Sequence, residues 1–204
     1  MKLYGSLTSP YTRKARVLII EKNIDCEFVV CDPWLVESPI PLMNPLGKVP
    51  VLELEPDSFL FESTLVVSYL DNLDGKPLLP QDAAGYWQSQ WWQALAQGLI
   101  DATVARLHET RRPLDKQLPQ TVEREETRVM RTLGTAERAH TGAAQLAGNA
   151  FGTADIALGV ALQYIDFRYP HDWRSRHGRL AKWLDGVGSR KSFEQTLPPG
   201  YLKS

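Results

Sequence analysis

Hydroxyl side chains and a proline stand together near the start of the chain, where a strand-like segment gives way to a helical one. Thr8 and Ser9 precede Pro10, and proline is favoured in the first turn of a helix because its missing N–H would have no partner there. The two hydroxyls are therefore expected where unpaired backbone N–H groups and the positive end of the helix dipole point outward. Such a position binds anions. A simpler interpretation, in which Ser9 or Thr8 only caps the helix, fits the same residues.

The segments on either side of this turn predict a strand and a helix that hold it. Residues 2–4 predict the strand and residues 11–22 the helix. Tyr11, Ala15 and Leu18 recur at i, i+4 and i+7, which predicts a stripe facing the core. The hydroxyl turn is therefore expected at the end of a strand, directly before an amphipathic helix.

The next segments predict a second strand, a hairpin and a second helix. Residues 27–31 predict a mostly buried strand, and prolines keep residues 32–44 irregular. Residues 51–54 and 59–61 predict a hairpin, and Glu62-Ser63 opens a helix that reaches about residue 73. Its expected apolar face consists of Leu65, Tyr69, Leu70 and Leu73. A β-α-β unit joined to a β-β-α unit predicts a mixed sheet with helices packed on it.

Only helices are predicted beyond residues 75–80, a segment rich in glycine and proline that is the best linker candidate. We therefore expect an α/β domain over residues 1–79 and an all-α domain over residues 83–204. The predicted helices cover residues 83–112, 118–141, 155–169 and 179–187, and an extended tail follows from residue 196. Residues 155–169 are apolar nearly all round, which predicts a central buried helix. In the helix 83–112, the expected apolar stripe consists of Trp87, Trp91, Leu95 and Leu99.

Composition and charge exclude several classes of function. The chain has 204 residues and a net charge of -1, which gives no electrostatic case for binding nucleic acid or an acidic membrane. Cys26 and Cys31 are its two cysteines, and their spacing in a strand-like segment makes a bridge between them unfavourable. So few cysteines indicate a reducing compartment.

Neither a membrane segment nor a metal site is predicted. No stretch approaches the ~18 apolar residues of a membrane span, and the first residues lack the pattern of a signal peptide, so we expect a cytoplasmic protein. The histidines show no paired-ligand spacing, and no metal is expected. They are His108, His140, His171 and His177.

The order of these motifs resembles a cytosolic glutathione S-transferase of the serine type found in bacteria and plants, with a thioredoxin-like N-terminal domain. The resemblance spans essentially the whole chain. The motifs that carry it are Ser9-Pro10-Tyr11, Asn44-Pro45, Lys48-Val49-Pro50-Val51, Glu62-Ser63 and Ala154-Asp155-Ile156-Ala157.

The resemblance implies a binding site for the tripeptide glutathione. In this family the Val49–Pro50 bond is cis, and the Val49 backbone pairs with the cysteinyl residue of glutathione like a short added strand. Ser63 holds the γ-glutamyl carboxylate, Glu62 takes the ammonium group, and Lys48 pairs with the glycyl carboxylate. Each residue also has a plain structural role: a strand-starting proline, a helix cap and a solvated lysine.

The resemblance also makes Ser9 the candidate that activates the thiol of glutathione. A thiol of pKa ~8.5 must drop by about two units, roughly 2.7 kcal/mol, to be mostly ionised at neutral pH. A hydrogen bond to a charged group contributes ~1.5–3 kcal/mol, and the helix end adds about 0.3–1 kcal/mol. Ser9 would thus stabilise the thiolate without a general base. Thr8 is the rival donor, and Tyr4 is a weaker one.

A serine in this turn disfavours two related chemistries. A cysteine there would form a mixed disulfide with glutathione, so glutaredoxin-type exchange is disfavoured. The turn also lacks the Ser-Ser-Cys run of the family's isomerase class, although a glutathione-dependent isomerase or dehalogenase stays an alternative. A non-catalytic binding module with the same fold is another alternative.

The helical half departs from the family pattern in two places. Gly152 stands where the family usually has Ser or Thr as a cap, and Thr153 is an alternative capping residue. Tryptophans crowd the start of the long helix, at Trp87, Trp91 and Trp92. We interpret these rings as core and subunit packing rather than as a wall of the substrate pocket.

The resemblance implies that the protein is a homodimer and that it detoxifies a small hydrophobic electrophile. Asp101 is expected to reach the ammonium group of glutathione across the dimer. The expected electrophile pocket is lined by Tyr11, His108 and Arg112, chosen for their positions in the chain. Glutathione is the expected co-substrate.

Overall fold

The computed structural model describes residues 1–169 and 172–202. His171 and the last two residues of the expected tail lie outside the described residues. The strands are β1 (Lys2–Gly5), β2 (Glu27–Val30), β3 (Val51–Glu55) and β4 (Ser58–Phe61). The helices are α1 (Pro10–Glu21), α2 (Ile40–Met43), α3 (Ser63–Asn72), α4 (Ala83–Thr110), α5 (Pro119–Ala139), α6 (Thr153–Arg168), α7 (Gly178–Gly188) and α8 (Lys191–Gln195).

These elements form two compact units. Met1–Leu78 and Lys191–Gly200 make up the first, and the second begins at Leu79 and runs to Arg190. The C-terminal segment that we expected within the helical domain thus packs with the first unit. The reason is a buried arginine: Arg13 of α1 donates to the Phe193 carbonyl oxygen at 3.1 Å and to Thr196 Oγ1 at 3.2 Å.

A four-stranded sheet of order β2-β1-β3-β4 forms the middle of the first unit. β1 pairs parallel with β2 and antiparallel with β3, and β3 pairs antiparallel with β4. The predicted mixed sheet is therefore confirmed, together with the helical second unit. The prediction that β2 is mostly buried is wrong: β2 is an edge strand, and Val30 at its end is 61% exposed.

Helix α1 packs closely on the end of β1. Ala15 and Leu18 are buried as predicted, whereas Tyr11 is only half-buried and Thr12 is buried instead. A Cβ atom added at Gly5 would lie 2.3 Å from Thr12 Cγ2 and 2.5 Å from Thr12 Oγ1. Gly5 is thus required by this close approach of helix and strand.

Replacing Gly5 with alanine should lower the free energy of unfolding by about 1–3 kcal/mol, because the new methyl group overlaps the buried Thr12 side chain. Urea unfolding would measure the loss, and the double variant Gly5→Ala/Thr12→Ala should lose less than the sum of the single variants. Gly186→Ala is the control, since nothing lies within 4 Å of its added Cβ. If the loss in unfolding free energy of the double variant equals the sum of the two single losses, the proposed overlap is contradicted.

The face that α3 buries differs from the predicted one. Leu70 is buried as expected, but Leu65 is 50% exposed and Leu73 is also exposed. Val66 and Val67 take their places in the core. Apolar residues occur on both sides of this helix, so spacing alone did not determine which side faces the sheet.

In the second unit, α6 is the buried central helix. Its residues from Thr153 to Ile165 are all buried, which confirms the prediction. Asp155 Oδ2 accepts the backbone N–H of Gly152 at 2.8 Å, and Oδ1 accepts that of Leu146 at 2.9 Å. Gly152 is therefore the cap, and the Asp155 side chain satisfies the backbone N–H of Gly152.

Helix α4 buries small residues and exposes its first two tryptophans. Trp87 is 69% exposed and Trp91 is 44% exposed, so the predicted stripe is wrong for both. Ser89 and Ala96 are buried instead, and Ser89 Oγ lies 3.2 Å from Thr153 Oγ1 of α6. Small residues let the two helix backbones approach closely at this point, and of the three tryptophans of α4 only Trp92 is buried, at 3% exposure.

None of the helices in residues 1–169 and 172–202 is both long and apolar enough to cross a membrane. Over the same ranges, no group of three or more His, Cys, Asp or Glu side chains could hold a metal ion. Cys26 and Cys31 are both free thiols.

Candidate glutathione site

The turn between β1 and α1 holds Ser9 as the cap of the helix. Its Oγ accepts the backbone N–H of Thr12 at 3.2 Å, and its own N–H donates to the Ser6 carbonyl oxygen at 3.2 Å. A hydroxyl that accepts one hydrogen bond keeps its own hydrogen for another acceptor. The capping role and a donor role of Ser9 are therefore compatible in this geometry.

The two other hydroxyls near this turn have partners of their own. Thr8 Oγ1 lies 3.2 Å from Ser6 Oγ, and either atom can be the donor. Tyr4 donates its single hydroxyl hydrogen to Glu53 Oε2 at 2.8 Å. That hydrogen bond raises the pKa of Tyr4, and burial raises it further. Among the residues that the structure describes, none accepts the hydroxyl hydrogen of Ser9, whereas the hydrogen of Tyr4 is in use.

The carboxylate of Glu62 caps the start of α3. Oε2 accepts the backbone N–H groups of Thr64 at 3.0 Å and Leu65 at 3.2 Å, and Ser63 Oγ donates to Oε1 at 3.2 Å. Burial acts to raise the pKa of Glu62, but these hydrogen bonds and the charge of Lys14 outweigh it, and the pKa is lowered. The carboxylate is therefore ionised at neutral pH.

Glu62 reaches this position through an unusual backbone conformation. Its φ angle is 75°, a region that residues other than glycine enter at a cost of about 1–3 kcal/mol. The conformation turns the Glu62 carboxylate back onto the helix end, where it satisfies two N–H groups. Ser63 is then the first helical residue, buried, and beside an anion-favouring helix end.

A loop before β3 presents Lys48 and Val49. The Val49–Pro50 bond is cis, Lys48 is exposed and Val49 is half-buried. The ladder pairing of β3 begins at Val51, so the peptide groups of Val49 lie outside the sheet. The loop thus offers backbone groups next to a lysine, at the start of a strand.

The buried side chain of Asn44 holds this loop in place. Asn44 is 1% exposed, its Nδ2 donates to the Lys48 carbonyl oxygen at 2.7 Å, and its Oδ1 accepts the Leu46 N–H at 2.9 Å. One side chain therefore fixes the backbone on both sides of Gly47.

Comparisons with known proteins match both halves of the chain to one family. Residues 3–78 match the family described as Glutathione S-transferase, N-terminal domain, and residues 119–186 match Glutathione S-transferase, C-terminal domain. The chain belongs to the glutathione S-transferase family.

Individual relatives of this glutathione S-transferase family member cover nearly its whole length. The uncharacterized GST-like protein YibF of Escherichia coli K12 is 33% identical over 98% of this chain and 99% of its own. A glutathione S-transferase from Methylobacillus flagellatus, crystallised with glutathione bound, is 37% identical, with a TM-score of 0.92 over 97% of this chain and 98% of its own. A glutathione S-transferase from Methylobacterium radiotolerans, in complex with glutathione sulfonate, is 31% identical. Its TM-score is 0.92 over 100% of this chain and 96% of its own.

The remaining candidate site residues of this transferase family member lie on α1, on α4 and just after α4. Tyr11 lies in the first turn of α1 and is half-buried, whereas Asp101 and His108 are exposed on α4. Asp101 Oδ1 accepts Gln97 Nε2 at 3.1 Å. The guanidinium of Arg112 is paired with Glu109 at 3.5 Å.

Two residues that help to position the candidate glutathione site, Asn44 and Lys14, were not predicted from the sequence. The role of Asn44 depends on its burial, which the Asn44-Pro45 motif does not reveal. Lys14 is buried on α1 and lowers the pKa of Glu62 through its charge. The sequence gives no signal for Lys14, because Arg13, Lys14 and Arg16 are all basic residues of the same helix and spacing does not show which of them is buried.

Proposed function

We propose that this protein is a glutathione transferase, which binds glutathione, stabilises its thiolate through Ser9 and conjugates the sulfur to a small hydrophobic electrophile. The observation that carries the proposal is the hydrogen bond from the Thr12 N–H to Ser9 Oγ. It fixes the hydroxyl at a helix end and leaves its hydrogen for an anion.

The rest of the first unit supports a site for the whole tripeptide. Lys48 and Val49 supply a cation and backbone groups for the glycyl carboxylate and the cysteinyl residue. Ser63, at the start of α3, supplies its backbone N–H for the γ-glutamyl carboxylate, and Glu62 supplies a carboxylate for the ammonium group. The relatives crystallised with glutathione or glutathione sulfonate align over nearly all of this chain, which supports the same ligand here.

The proposed chemistry is a nucleophilic substitution or addition. The thiolate sulfur forms a bond to the electrophilic carbon, and the leaving group departs with the electron pair in the substitution case. Ser9 donates a hydrogen bond to the sulfur and neither attacks nor abstracts a proton. Tyr11, His108 and Arg112 are the residues proposed to contact the electrophile, and detoxification in the cytoplasm is the proposed role.

The exposed start of α4 supports a homodimer. Trp87 and Trp91 lie one turn apart and are largely exposed, and large exposed aromatic residues mark association surfaces. Asp101 lies on the same face of α4, where we propose that it meets the ammonium group of glutathione bound to the partner copy. Light scattering should give a dimer for the natural chain and a monomer for Trp87→Ser/Trp91→Ser, with Trp34→Ser as control.

Calorimetric titration with glutathione, followed by a conjugation assay with a panel of electrophiles, tests the function. We expect a dissociation constant below the millimolar range and turnover of at least one electrophile. No detectable binding at millimolar glutathione would contradict the proposal. Binding without turnover of any electrophile would leave a glutathione-binding module in place of an enzyme.

Replacing Asn44 with aspartate should weaken glutathione binding about ten-fold, because the carboxylate keeps the acceptor for Leu46 but removes the donor to the Lys48 carbonyl oxygen. The Michaelis constant for glutathione should rise, while kcat at saturating glutathione stays within about two-fold. Asn72→Asp is the matched control, since its Nδ2 donates to the Ser68 carbonyl oxygen at 2.8 Å on the surface of α3. Equal losses in the two variants would contradict a positioning role for Asn44.

A further inference from the structure

The turn between β1 and α1 is fixed at both of its ends. At the strand end, the Gly5 carbonyl oxygen accepts the N–H of Cys31 at 3.0 Å, and a Cβ atom at Gly5 would overlap the buried Thr12 side chain. At the helix end, the Ser9 carbonyl oxygen accepts the N–H of Arg13 at 3.0 Å. The direction of the Ser9 hydroxyl therefore depends on what holds the residues between these ends.

Ser6 closes this turn with its backbone. Its carbonyl oxygen accepts the N–H of Ser9 at 3.2 Å, the bond between the first and fourth residues that is typical of a β-turn. Serine is favoured at the first position of such a turn, but any residue offers the same carbonyl oxygen. The backbone bond alone thus does not require a serine here.

The Ser6 side chain holds the turn a second time. Its Oγ accepts the backbone N–H of Thr8 at 3.3 Å and lies 3.2 Å from Thr8 Oγ1. Serine hydroxyls make such bonds to the backbone two residues later, and these bonds stabilise turns. Thr8, which directly precedes Ser9, is therefore held through its backbone by the Ser6 side chain.

The two bonds of Ser6 restrain the backbone that leads into Ser9. Because peptide groups are planar, the chain between the N–H groups of Thr8 and Ser9 rotates only about the φ and ψ angles of Thr8. Ser6 accepts the N–H at each end of that segment, with Oγ at Thr8 and with its carbonyl oxygen at Ser9. One residue thus restrains both rotations, and with them the position of the Ser9 side chain.

This restraint bears on the direction of the Ser9 hydroxyl hydrogen. Ser9 Oγ accepts the N–H of Thr12 at 3.2 Å, so its own hydrogen points along a remaining direction of the same oxygen. Hydrogen bonds weaken steeply when the angle at the hydrogen falls below about 120°. Rotation at Thr8 would either lengthen the bond from Thr12 or turn the Ser9 hydrogen away from an anion at the helix end.

We propose that Ser6 is a positioning residue, whose side chain fixes the turn so that Ser9 directs its hydroxyl hydrogen at the thiolate of glutathione. The inference rests on the proposed transferase function for the identity of the anion, whereas the restraint of the turn does not depend on it. Ser6 acts through Ser9 and does not itself contact the sulfur. Thr8 transmits the restraint through its backbone.

The thiol pKa of bound glutathione, read from far-ultraviolet difference spectra, tests the proposal. We expect it to rise by about half a unit to one unit in Ser6→Ala, because a hydrogen bond that orders the turn is lost. Ser6→Thr keeps the hydroxyl and should restore the natural value. At pH 5.5, where the thiol is mostly protonated in every variant, the dissociation constant of glutathione should stay within about two-fold.

Ser38→Ala is the matched control. Ser38 Oγ also accepts the N–H two residues later, that of Ile40 at 3.4 Å, in the loop before α2. The substitution removes the same kind of bond from the same unit, and we expect the thiol pKa to stay at its natural value. Equal rises in Ser6→Ala and Ser38→Ala would overturn the proposal.

A double-mutant cycle shows whether Ser6 acts through Ser9. In the Ser9→Ala background, Ser6→Ala should change the thiol pKa by less than about 0.2 units, since no hydroxyl remains to be positioned. Equal rises in the natural chain and in the Ser9→Ala background would overturn the proposal, because Ser6 would then act on the sulfur independently of Ser9.

Amide exchange in the ligand-free protein, measured by NMR, separates this inference from the proposed function. The N–H groups of Ser9 and Thr12 should exchange with solvent about ten-fold faster in Ser6→Ala, and at the natural rate in Ser38→Ala. If the natural chain binds no glutathione but exchange accelerates in Ser6→Ala, the transferase function fails and the restraint of the turn stands. If glutathione binds with an ionised thiol but Ser6→Ala changes neither its pKa nor the exchange, the inference fails and the transferase function stands.

Discussion

Replacing Asp155 with alanine should lower the free energy of unfolding by about 3–5 kcal/mol, the largest effect that we expect from any single substitution on stability. Asp155 is fully buried and accepts the backbone N–H groups of Leu146 and Gly152. Alanine would leave both donors buried without an acceptor, at about 1.5–3 kcal/mol each. Thermal and urea unfolding of the purified protein would measure the loss.

Two further variants separate burial from capping. Asp155→Asn keeps one acceptor oxygen and should lose about half as much as alanine. Asp82→Ala removes an exposed cap, in which Oδ1 accepts the Gly85 N–H at 2.8 Å, and should lose only about 1 kcal/mol. If Asp155→Ala and Asp82→Ala lose the same unfolding free energy, the burial of Asp155 makes no contribution to stability beyond that of an exposed cap.

The stability contribution of Asp155 should also depend on pH. Burial raises its pKa to about 6, against the opposing hydrogen bonds from Gly152 and Leu146, whereas an aspartate in an unfolded chain has a pKa of about 3.9. The folded state therefore holds its proton more tightly, and stability from this group rises as pH falls from 7 towards 4. Between pH 7 and 5 the gain is about 1 kcal/mol.

Comparing the natural chain with Asp155→Ala at the two pH values isolates this contribution. The difference in unfolding free energy between the two proteins should be larger at pH 5 than at pH 7. Glu62 and Glu137, whose pKa values are lowered, lose their contributions only below their ordinary pKa. A difference that is smaller at pH 5 would contradict the raised pKa.

Replacing Ser9 with alanine should lower kcat/KM for conjugation about 10- to 100-fold, the largest effect that we expect on activity. A hydrogen bond to a charged group contributes about 1.5–3 kcal/mol, and each 1.4 kcal/mol is a factor of ten in rate. The loss should be greatest below pH 7, where the thiol without this donor stays protonated. Steady-state kinetics with one electrophile over pH 5.5–9 would measure it.

Thr8→Val is the matched control for Ser9→Ala. It removes the neighbouring hydroxyl, which is paired with Ser6, and keeps a side chain of similar volume. We expect kcat/KM to change less than three-fold. Because Ser9 also caps α1, part of the loss in Ser9→Ala is structural, about 1 kcal/mol of stability, and thermal unfolding of the variant measures that part.

The sequence was sufficient for the elements that depend on local signals. Pro10 after two hydroxyl residues predicted the start of α1, and two short strand-like segments on either side of the turn at residues 55–58 predicted the hairpin of β3 and β4. The family resemblance then placed candidate residues at the start of α1, before β3 and at the start of α3. Each of these places is a turn or a helix end, where residue type and backbone conformation are closely linked.

Features that depend on packing between distant residues were not predictable in the same way. Trp87 and Trp91 satisfy the spacing of a buried stripe, yet the face with Ser89 and Ala96 is buried because small residues permit close approach. The short helix α8 packs in the first unit through Arg13, a contact that spans most of the chain. The positive φ angle of Glu62 could not be predicted from the sequence either, since glutamate rarely adopts this conformation.

Direct titration of the glutathione thiol in the binary complex tests the central claim. The thiolate absorbs in the far ultraviolet, so its pKa can be read from difference spectra of the natural chain, Ser9→Ala and Thr8→Val at saturating glutathione. We predict a pKa about two units below the ordinary ~8.5 in the natural chain and in Thr8→Val, and a rise of at least one unit in Ser9→Ala. A rise in Thr8→Val without a rise in Ser9→Ala would contradict the assignment of Ser9.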